Sequence, residues 1–409
     1  MPVGLLYMSV FFNLISVDDA IGLMKKIAPP MESEVVPLMD ACDRVLSGDV
    51  VSDIDIPGFD RSWKDGYAVV ASDSVSATDA QPTMLTIKGR IQMGSGERLS
   101  MKSGEAIYIP TGGQMPLGAD AVIMIEHSEE VRDRVLIKRP ASVGENVILK
   151  NEDFSRGKVV FRGGRRLSPQ DIGVLAAVGA TSVCVRGKPR VGIISTGIEI
   201  VSVDTVPAIG QVRNVNTYLC GAYVQKHGGI AVDYGIVRDD VEAMKNLLCE
   251  AASECDLVLI SGGSSKDKND VTAVAMEDVG EIFAHGIALA PGKPTVIGRI
   301  GTTPVIGIPG HPAAVVMVLN VVIRHLFAVM VGHSSALAQS RKAVLFENIP
   351  SEKGREEYVR IHLNKDGMAV PLFGKSGLLN TIAESDGVIK IPAGCEGLEE
   401  GEIVEVMLW

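Results

Sequence analysis

The stretch from residue 255 to residue 276 constrains the fold of this chain more than any other. Branched apolar residues at 257–260 end in Ser261-Gly262-Gly263, and the apolar spacing of 271–276 is helical. This pattern predicts a buried parallel strand, a tight loop and a helix N-terminus. Phosphate-bearing ligands bind at such loops in a doubly wound sheet, because unpaired helix N–H groups and the helix dipole favour an anion. Ser264 and Ser265 would add hydroxyl donors, although a polar turn without a ligand has the same composition.

Strands and helices alternate on both sides of this stretch. The spacing of apolar residues predicts strands at 190–197, 230–237 and 306–310 and helices at 215–227, 240–254 and 313–330. Strands alternating with helices of this length are typical of a doubly wound parallel α/β sheet. Asn320, Arg324 and His325 interrupt the last helix, which favours a buried helix over a membrane span.

The rest of the chain mostly has short strand-like runs instead of alternating strands and helices. Short β-like runs separated by Gly/Pro turns between residues 85 and 137 predict a small all-β domain, and short strands after residue 341 predict a β-barrel or sandwich. Ser16 and Ser168 are placed to cap helices that start directly after them. A length of 409 residues suggests two to four domains, so the predicted fold class is multidomain, α/β plus all-β.

Composition excludes some classes of protein. The net charge of −11, without a dense Lys/Arg face, argues against nucleic acid as a partner. The six cysteines show no C-x-x-C or Cys/His spacing, which predicts reduced core thiols rather than a zinc or iron–sulfur site. The apolar N-terminus has no preceding Lys or Arg and no cleavage pattern, so we expect no signal peptide and a cytoplasmic location.

Several weak signals are expected at one edge of the α/β sheet, because loops at the carboxyl ends of parallel strands open together. These loops are Ser195-Thr196-Gly197-Ile198-Glu199, the Gly262-Gly263 loop, Ala290-Pro291-Gly292-Lys293-Pro294 and Pro309-Gly310-His311-Pro312. Lys293, with Lys266 or Lys268, would supply charge against phosphate, and Glu199 and Asp270 would supply oxygen ligands for Mg²⁺.

The order of the motifs identifies a resemblance that runs from about Asn13 to the C-terminus. The motifs are Asp65-Gly66-Tyr67-Ala68, Pro110-Thr111-Gly112-Gly113, Gly118-Ala119-Asp120-Ala121-Val122 with Glu126, Gly144-Glu145-Asn146-Val147 with Glu152-Asp153, Ser195-Thr196-Gly197 with Glu199, Ser261-Gly262-Gly263, Pro291-Gly292-Lys293-Pro294, and Pro309-Gly310 with Pro312. In this order they resemble the MoeA family of molybdopterin molybdenumtransferases, which is related to the E domain of gephyrin.

The resemblance implies an elongated chain of four regions. They are a discontinuous dimerisation domain at 14–50 and 150–186, an inserted β domain at 51–149, a molybdopterin-binding α/β domain at 187–335 and a C-terminal β-barrel at 340–409. It also implies a homodimer in which the α/β domain of one subunit shares its site with the Asp65-bearing loops of the other. A transient contact with the molybdopterin adenylyltransferase follows from the same resemblance.

The implied reaction is the Mg²⁺-dependent insertion of molybdate or tungstate into adenylyl-molybdopterin, with release of AMP. The resemblance places catalytic roles on Asp65, Asp153, Glu199, Asp270 and Lys293, with Glu199 and Asp270 also as metal ligands. The positions implied to bind the pterin substrate are Thr196, Gly197, Asn216, Ser261, Gly262, Gly263, Ser264, Pro291, Gly292, Pro294, Pro309, Gly310 and His311.

The sequence departs from the family pattern inside this site. Ile198 and Asn214 stand where the family usually has Asp, Ala290 where it has Lys, His311 where it has Asn, and Ser264 where it has Val. A catalytically altered paralogue that acts as a molybdopterin-binding or scaffold protein is therefore the alternative function. A nucleotide-sugar or dinucleotide enzyme is disfavoured, because no G-x-G-x-x-G follows the strand at 191–194. His311 is either a polar loop residue or a phosphate donor.

Overall fold

The computed structural model describes residues 14–96, 98–238, 240–262, 271–333 and 339–409. Its centre is a six-stranded sheet whose elements we number along the chain. They are β1 (Arg190–Thr196), α1 (Asn216–Lys226), β2 (Ile230–Val237), α2 (Val241–Glu254), β3 (Leu257–Ser261), α3 (Val271–Val279), β4 (Glu281–His285), β5 (Val296–Ile300), β6 (Thr303–Ile308) and α4 (Pro312–Met330).

The strand order of this sheet is β2-β1-β3-β6-β5-β4. The strands β2, β1, β3 and β6 are parallel to one another, as the sequence predicts. The strands β5 and β4 were not predicted, and they extend the sheet in the antiparallel sense. Antiparallel strands need only short connections, and β5 and β6 are joined by two residues.

Both faces of the sheet are covered, which explains the continuous apolar runs in its strands. Ile193 and Leu259 pack with α1 and α4 in one core cluster, whereas their neighbours Ile194 and Ile260 pack with α2 and α3 in another. This alternation follows from the two-residue period of a strand. The sheet is therefore doubly wound, as predicted.

The helix α4 is long and apolar enough to cross a membrane, but 72% of its most apolar window is buried inside the protein. It contains a π-helical turn at Leu319–Ile323, and the amide of Asn320 donates to the Val316 carbonyl oxygen at 2.9 Å. The prediction of a buried helix agrees with this placement.

The first described helix, Val17–Ile27, packs on α4 and joins the core of the α/β domain. It begins where predicted, because the Ser16 hydroxyl accepts from the Asp19 N–H at 3.0 Å. Its buried face consists of Val17, Ala20 and Met24.

The next part of the chain pairs with a distant segment. Ser33–Pro37 pairs antiparallel with Ser182–Arg186, and Val50–Val51 pairs with Val159–Phe161. The helix Pro169–Ala177 lies in the sequence between Val159–Phe161 and Ser182–Arg186. Its predicted cap is a complete capping box: the Ser168 hydroxyl accepts from the Asp171 N–H, and the Asp171 carboxylate accepts from the Ser168 N–H.

The inserted region is a six-stranded sheet with one core cluster on each face. In spatial order its strands are Ala121–Met124, Gly66–Val69, Glu105–Ile109, Thr83–Arg90, Arg134–Ile137 and Ser128–Val131. Thr83–Arg90 is parallel to Glu105–Ile109, and the other neighbours are antiparallel. A small strand pair, Arg61–Ser62 with Val147–Ile148, joins the two ends of the region.

The C-terminal strands close on themselves, in agreement with the predicted barrel. Glu356–Leu363, Gly387–Ile391, Ile403–Leu408 and Ser340–Val344 pair in that order. Ala369–Pro371 pairs with the first of them, and a bridge from Leu345 to Ala369 joins the last strand back to it. The short helix Asn380–Ala383 precedes Gly387–Ile391.

All six cysteines are free thiols. The expectation that they are core residues is correct for Cys220 and Cys255 but wrong for Cys42, Cys184, Cys249 and Cys395, whose residues are exposed. A single cysteine gives no periodic pattern from which burial could be predicted. Its burial depends on which face of its helix or strand the fold covers.

Candidate functional site at the carboxyl edge of the sheet

The strand registers bring the four predicted loops to one edge of the sheet. Ser195 lies opposite Ser261, Ser261 opposite Ile308, and Gly307 opposite Val296. The loops that follow β1, β3 and β6 therefore open together. The loop at 290–294 reaches the same edge for a different reason than expected: it precedes β5, which runs antiparallel.

Glycines allow the first three loops to approach one another closely. Gly262 has a φ of +100°, and a Cβ added to it would lie 2.1 Å from the Thr196 carbonyl oxygen. Its own N–H donates to the Ile308 carbonyl oxygen at 3.3 Å. A Cβ added to Gly310 would lie 3.7 Å from the Gly262 Cα. Only glycine fits at position 262, so backbone rather than side chains lines this part of the edge.

Asn216, at the first turn of α1, ties two of these loops together. Its Nδ2 donates to the Ser261 hydroxyl and to the Gly310 carbonyl oxygen, both at 2.7 Å. The Gly310 carbonyl can only accept, which fixes the orientation of the amide. The Asn216 Oδ1 is buried without a hydrogen-bond partner among the described residues. A buried acceptor of this kind is available to a ligand donor.

A second buried network explains one departure from the family pattern. The Ser195 hydroxyl donates to the Asn214 Oδ1 at 3.0 Å and lies 2.8 Å from the Thr217 hydroxyl. The Asn214 Nδ2 donates to the Thr217 hydroxyl at 3.0 Å, and the Asn214 Oδ1 accepts from the Thr217 N–H at 3.3 Å. Asn214 is thus a buried residue that uses both ends of its amide to hold the start of α1.

The neighbouring departure is on the surface. Ile198 is 74% exposed, and Glu199 beside it is exposed as well. The Glu199 Oε2 lies 2.8 Å from the position that a Cβ on Gly197 would occupy, so this carboxylate folds over Gly197 at the end of β1. Among the described residues, no group of three or more His, Cys, Asp or Glu side chains could hold a metal ion.

The loop at 290–294 connects the sheet edge to the barrel. Leu289–Ala290 pairs in parallel with the start of Glu356–Leu363. Gly292 has a φ of +135°, and its carbonyl oxygen accepts from the Thr295 hydroxyl at 2.7 Å. Lys293 is exposed and holds its turn through its carbonyl oxygen, which accepts from the Ile287 and Thr295 N–H groups at 2.9 Å.

A cleft of about 300 Å³ separates this loop from the barrel and contains a cation that the sequence analysis missed. Ala290, Pro291, Arg360 and Ser376 are among its lining residues. Arg360 is only 6% exposed; its Nη2 donates to the Gly374 carbonyl oxygen at 2.9 Å, and its Nε has no partner among the described residues. Burial lowers the pKa of Arg360. The available signal was a lone arginine within the apolar run Tyr358–Ile361.

His311 makes a contact that neither interpretation of it anticipated. Its Nδ1 lies 2.8 Å from the Ser376 hydroxyl of the barrel. The Ser376 carbonyl oxygen accepts from the Ala313 N–H at 3.1 Å, and the His311 carbonyl accepts from Ala314 and Val315. The first N–H groups of α4 are therefore already paired. The expectation of unpaired helix N–H groups was made for α3, and the loop that precedes α3 lies outside the described residues.

The remaining predicted residues lie apart from this edge or outside the described residues. The Asp65 carboxylate accepts from the Thr111 N–H at 2.8 Å, and the Asp153 N–H donates to the Ile56 carbonyl oxygen at 3.0 Å. These hydrogen bonds keep both exposed residues with the inserted β region. Asp270, Gly263, Ser264, Ser265, Lys266 and Lys268 lie outside the described residues. Pro294 and Pro309 flank the loops already described.

Comparison with known proteins gives a family to this arrangement. Residues 15–179 match the MoeA N-terminal region (domain I and II), 192–328 match a probable molybdopterin binding domain, and 342–409 match the MoeA C-terminal region (domain IV). The chain belongs to the MoeA family. The candidate edge thus lies within the family's probable molybdopterin-binding domain, and the Arg360 cleft lies where that domain meets domain IV.

Named relatives cover nearly the whole MoeA chain. A putative molybdopterin biosynthesis protein from Methanocaldococcus jannaschii is 33% identical over 384 residues, which is 91% of each chain. Molybdopterin molybdenumtransferase 2 from Mycobacterium tuberculosis is 31% identical, covering 91% of this chain and 94% of its own. The molybdopterin biosynthesis MoeA protein from Pyrococcus horikoshii has a crystal structure with a TM-score of 0.86 at 33% identity, covering 97% of this chain and all of its own. Two of these relatives are thus named as proteins of molybdopterin biosynthesis, and one is named as a molybdenumtransferase.

Proposed function

We propose that this protein inserts molybdate or tungstate into adenylyl-molybdopterin and releases AMP. The oxygen of a water molecule attacks the adenylyl phosphorus, and the bond from that phosphorus to the bridging oxygen breaks, so AMP leaves with the water oxygen and the pterin phosphate keeps the bridging oxygen. The two dithiolene sulfurs then bond to the metal of the oxyanion, and their two protons leave with one of its oxygens as water. The observation that carries the proposal is the close approach of three glycine loops, joined through the contact between His311 and Ser376 to a cleft that holds the buried cation Arg360. Backbone amides and a desolvated guanidinium suit phosphate and oxyanion respectively.

Each described residue has a role that follows from its surroundings. The loops at Gly197 and Gly262 let a pyrophosphate approach the backbone. The buried Oδ1 of Asn216 accepts a hydrogen bond from the pterin, which has ring amino groups to donate. Arg360, which lines the cleft, and Lys293, an exposed residue of the loop at 290–294, balance the negative charge of the substrates. In this role Arg360 stands in for the lysine that Ala290 replaces.

The residues present fit Mg²⁺ in part. Proteins often hold this ion with one or two carboxylates plus substrate phosphates and water, and the Glu199 carboxylate lies over Gly197 beside the proposed phosphate site. Glu199 would therefore hold the ion, with Asp270 as the second proposed ligand. When bound, Mg²⁺ supplies neutralisation of phosphate charge during cleavage.

The test is release of AMP from adenylyl-molybdopterin with Mg²⁺ and molybdate. We expect turnover by the wild type, and a loss of about 100-fold in Arg360→Gln and Glu199→Gln. Arg341→Gln, which changes an exposed arginine of the barrel, is the matched control and should leave turnover unchanged. No AMP above buffer from the folded wild type would refute the proposal.

The second candidate is a pterin-binding or scaffold protein without turnover. It is favoured by the exposed apolar side chain of Ile198, where the family has a carboxylate. It predicts binding of molybdopterin with no AMP release. The two functions are separated by measuring pterin affinity and AMP release on the same preparation.

We also propose a cytoplasmic homodimer in which Asp65 and Asp153 of one subunit complete the site of the other. Both side chains are exposed, so they are available to a partner subunit. If the site is shared, each mixed dimer of Asp65→Ala and Glu199→Ala subunits has one intact site and should regain about half of the wild-type activity, or about a quarter in a random 1:1 mixture. If each site uses residues of one subunit only, the mixture stays inactive. A transient contact with the adenylyltransferase belongs to the same proposal.

A further inference from the structure

A larger cavity lies away from the site already described, where three parts of the fold meet. It has a volume of about 490 Å³, within the usual range for small-molecule sites. One wall comes from the paired segments around Arg44, Arg166 and Arg186. A second wall comes from the end of α1 and from α4, and the end of the barrel at Leu408 and Trp409 forms the third.

The charge of this cavity is opposite to that of the whole protein. Five cationic side chains line it, in a chain whose net charge is −11: Arg44, Arg166, Arg186, Lys226 and Arg324. Asp43 is the one carboxylate side chain among its described lining residues. Cations gathered in this way raise the local concentration of anions through their combined field.

Two of these cations, Arg186 and Lys226, have no carboxylate partner among the described residues. Arg44 pairs with Glu34, and Arg166 pairs with Asp43 at 3.3 Å. Arg186 donates to the Met31 carbonyl oxygen at 3.0 Å, and Arg166 donates to the Lys226 carbonyl oxygen at 3.3 Å. A carbonyl oxygen orients a guanidinium without neutralising it, and each guanidinium has five N–H donors.

His227, the residue that follows α1, lies among these cations. His227 stacks on Tyr223 and lines the cavity. Burial is the largest cause that lowers the pKa of His227, and the nearby charges of Lys226, Arg166 and Arg324 lower it further. A bound anion would offset that repulsion and raise the pKa of His227, which makes the imidazole a reporter inside the cavity.

We infer that this cavity is a second anion site, built for a small phosphate-bearing molecule. Several guanidiniums from different walls can bind the several oxygens of a phosphate group at once. A ligand with a single carboxylate has too few oxygens to contact them all. The apolar rim formed by Phe327, Val331 and Leu408 suits an organic portion of the ligand. The inference does not depend on the proposed function, because it uses none of the residues of the sheet edge or of the Arg360 cleft.

The experiment uses inorganic pyrophosphate as the probe, with the full-length protein in Mg²⁺-free buffer. Titration calorimetry should show binding to the wild type and at least a tenfold weaker affinity in the double variant Arg166→Gln/Lys226→Gln. These two side chains are chosen because they are at the surface. Arg341→Gln, which changes an exposed arginine of the barrel that lines neither the cavity nor the Arg360 cleft, is the matched control and should bind pyrophosphate as well as the wild type.

Two outcomes overturn the inference. The first is wild-type protein that binds no pyrophosphate at about 1 mM, roughly the weakest affinity that a built site would have. The second is binding that Arg360→Gln abolishes and the double variant keeps, which would place the anion in the Arg360 cleft.

A second readout needs no variant. NMR titration of the wild type should show that saturating pyrophosphate raises the pKa of His227, while the chemical shifts of the half-exposed His362 ring stay unchanged on addition of pyrophosphate. An unchanged His227 pKa at saturation means that the anion binds elsewhere, and the inference then fails even if the double variant does not fold.

Discussion

The end of β1 and the start of α1 share a buried polar cluster that consists of Ser195, Asn214 and Thr217. Each of these side chains is hydrogen-bonded to the other two. Three residues along the chain from Ser195, Ile198 is 74% exposed, and the Glu199 carboxylate beside it lies over Gly197. The resemblance described in the sequence analysis implies the loss of a carboxylate at both position 214 and position 198, but the two replacements have different physical surroundings.

At position 214 the replacement is matched to its surroundings. An amide has a donor and an acceptor, and Asn214 uses both. At position 198 the apolar side chain is 74% exposed to solvent. The replacement at the buried position 214 should therefore affect the stability of the site, whereas the replacement at the exposed position 198 should affect its charge. Substitutions in four parts of the site test this contrast, and they are given from the largest to the smallest expected loss of stability.

Gly262→Ala should have the largest effect. The new Cβ would meet the Thr196 carbonyl oxygen at 2.1 Å while φ is +100°, so we expect a loss of roughly 3 kcal/mol in the free energy of unfolding. Urea denaturation measures it. The control is Gly210→Ala, which has a φ of +86° but open space around it; it should cost only about 1 kcal/mol. Equal losses would mean that close packing at the edge is unimportant.

Asn214→Asp should cost about 1–3 kcal/mol at pH 7, because it removes the Nδ2 donor and buries a charge among neutral groups. The comparison variant is Asn364→Asp in a turn of the barrel. There only the Oδ1 is used, as acceptor from the Asp366 and Met368 N–H groups, so the change should be neutral. A neutral result at position 214 would contradict the distinction between the buried and exposed departures.

Ser376→Ala should cost about 1 kcal/mol or less, because it removes the hydroxyl that meets His311 and keeps the carbonyl oxygen that accepts from Ala313. His311→Asn should have a similar effect if the histidine mainly joins α4 to the barrel. Thermal unfolding measures both variants and their combination. Additive losses would show that the two side chains do not act as a pair.

Ile198→Asp should change stability by less than about 0.5 kcal/mol, since the side chain is exposed. It restores a carboxylate beside Glu199, so the Mg²⁺ concentration needed for half-maximal AMP release should fall. Val206→Asp, at another exposed apolar position of the α/β domain, controls for added charge. An equal response at both positions would mean that net charge, and not the site, is responsible.

Much of the fold follows from local signals. The continuous apolar runs at 191–194 and 257–260 predict strands covered on both faces. Ser16 and Ser168 mark helix starts because a serine hydroxyl can pair with a free N–H of the first turn. Glycines at 197 and 262 predict close loops because other residues avoid positive φ. Each of these signals depends only on residues within a few positions of one another.

What the tertiary structure decided involves contacts between residues far apart in sequence. Arg360 reads as an ordinary strand residue until the barrel buries it against the loop at 290–294. The position of that loop depends on β5 running antiparallel, which the short apolar run of β5 does not specify. Arg44, Arg166 and Lys226 form one basic cavity only because three chain segments meet there. Local propensity and periodicity determine the elements, whereas the pairing and packing of distant segments determine which charges face one another.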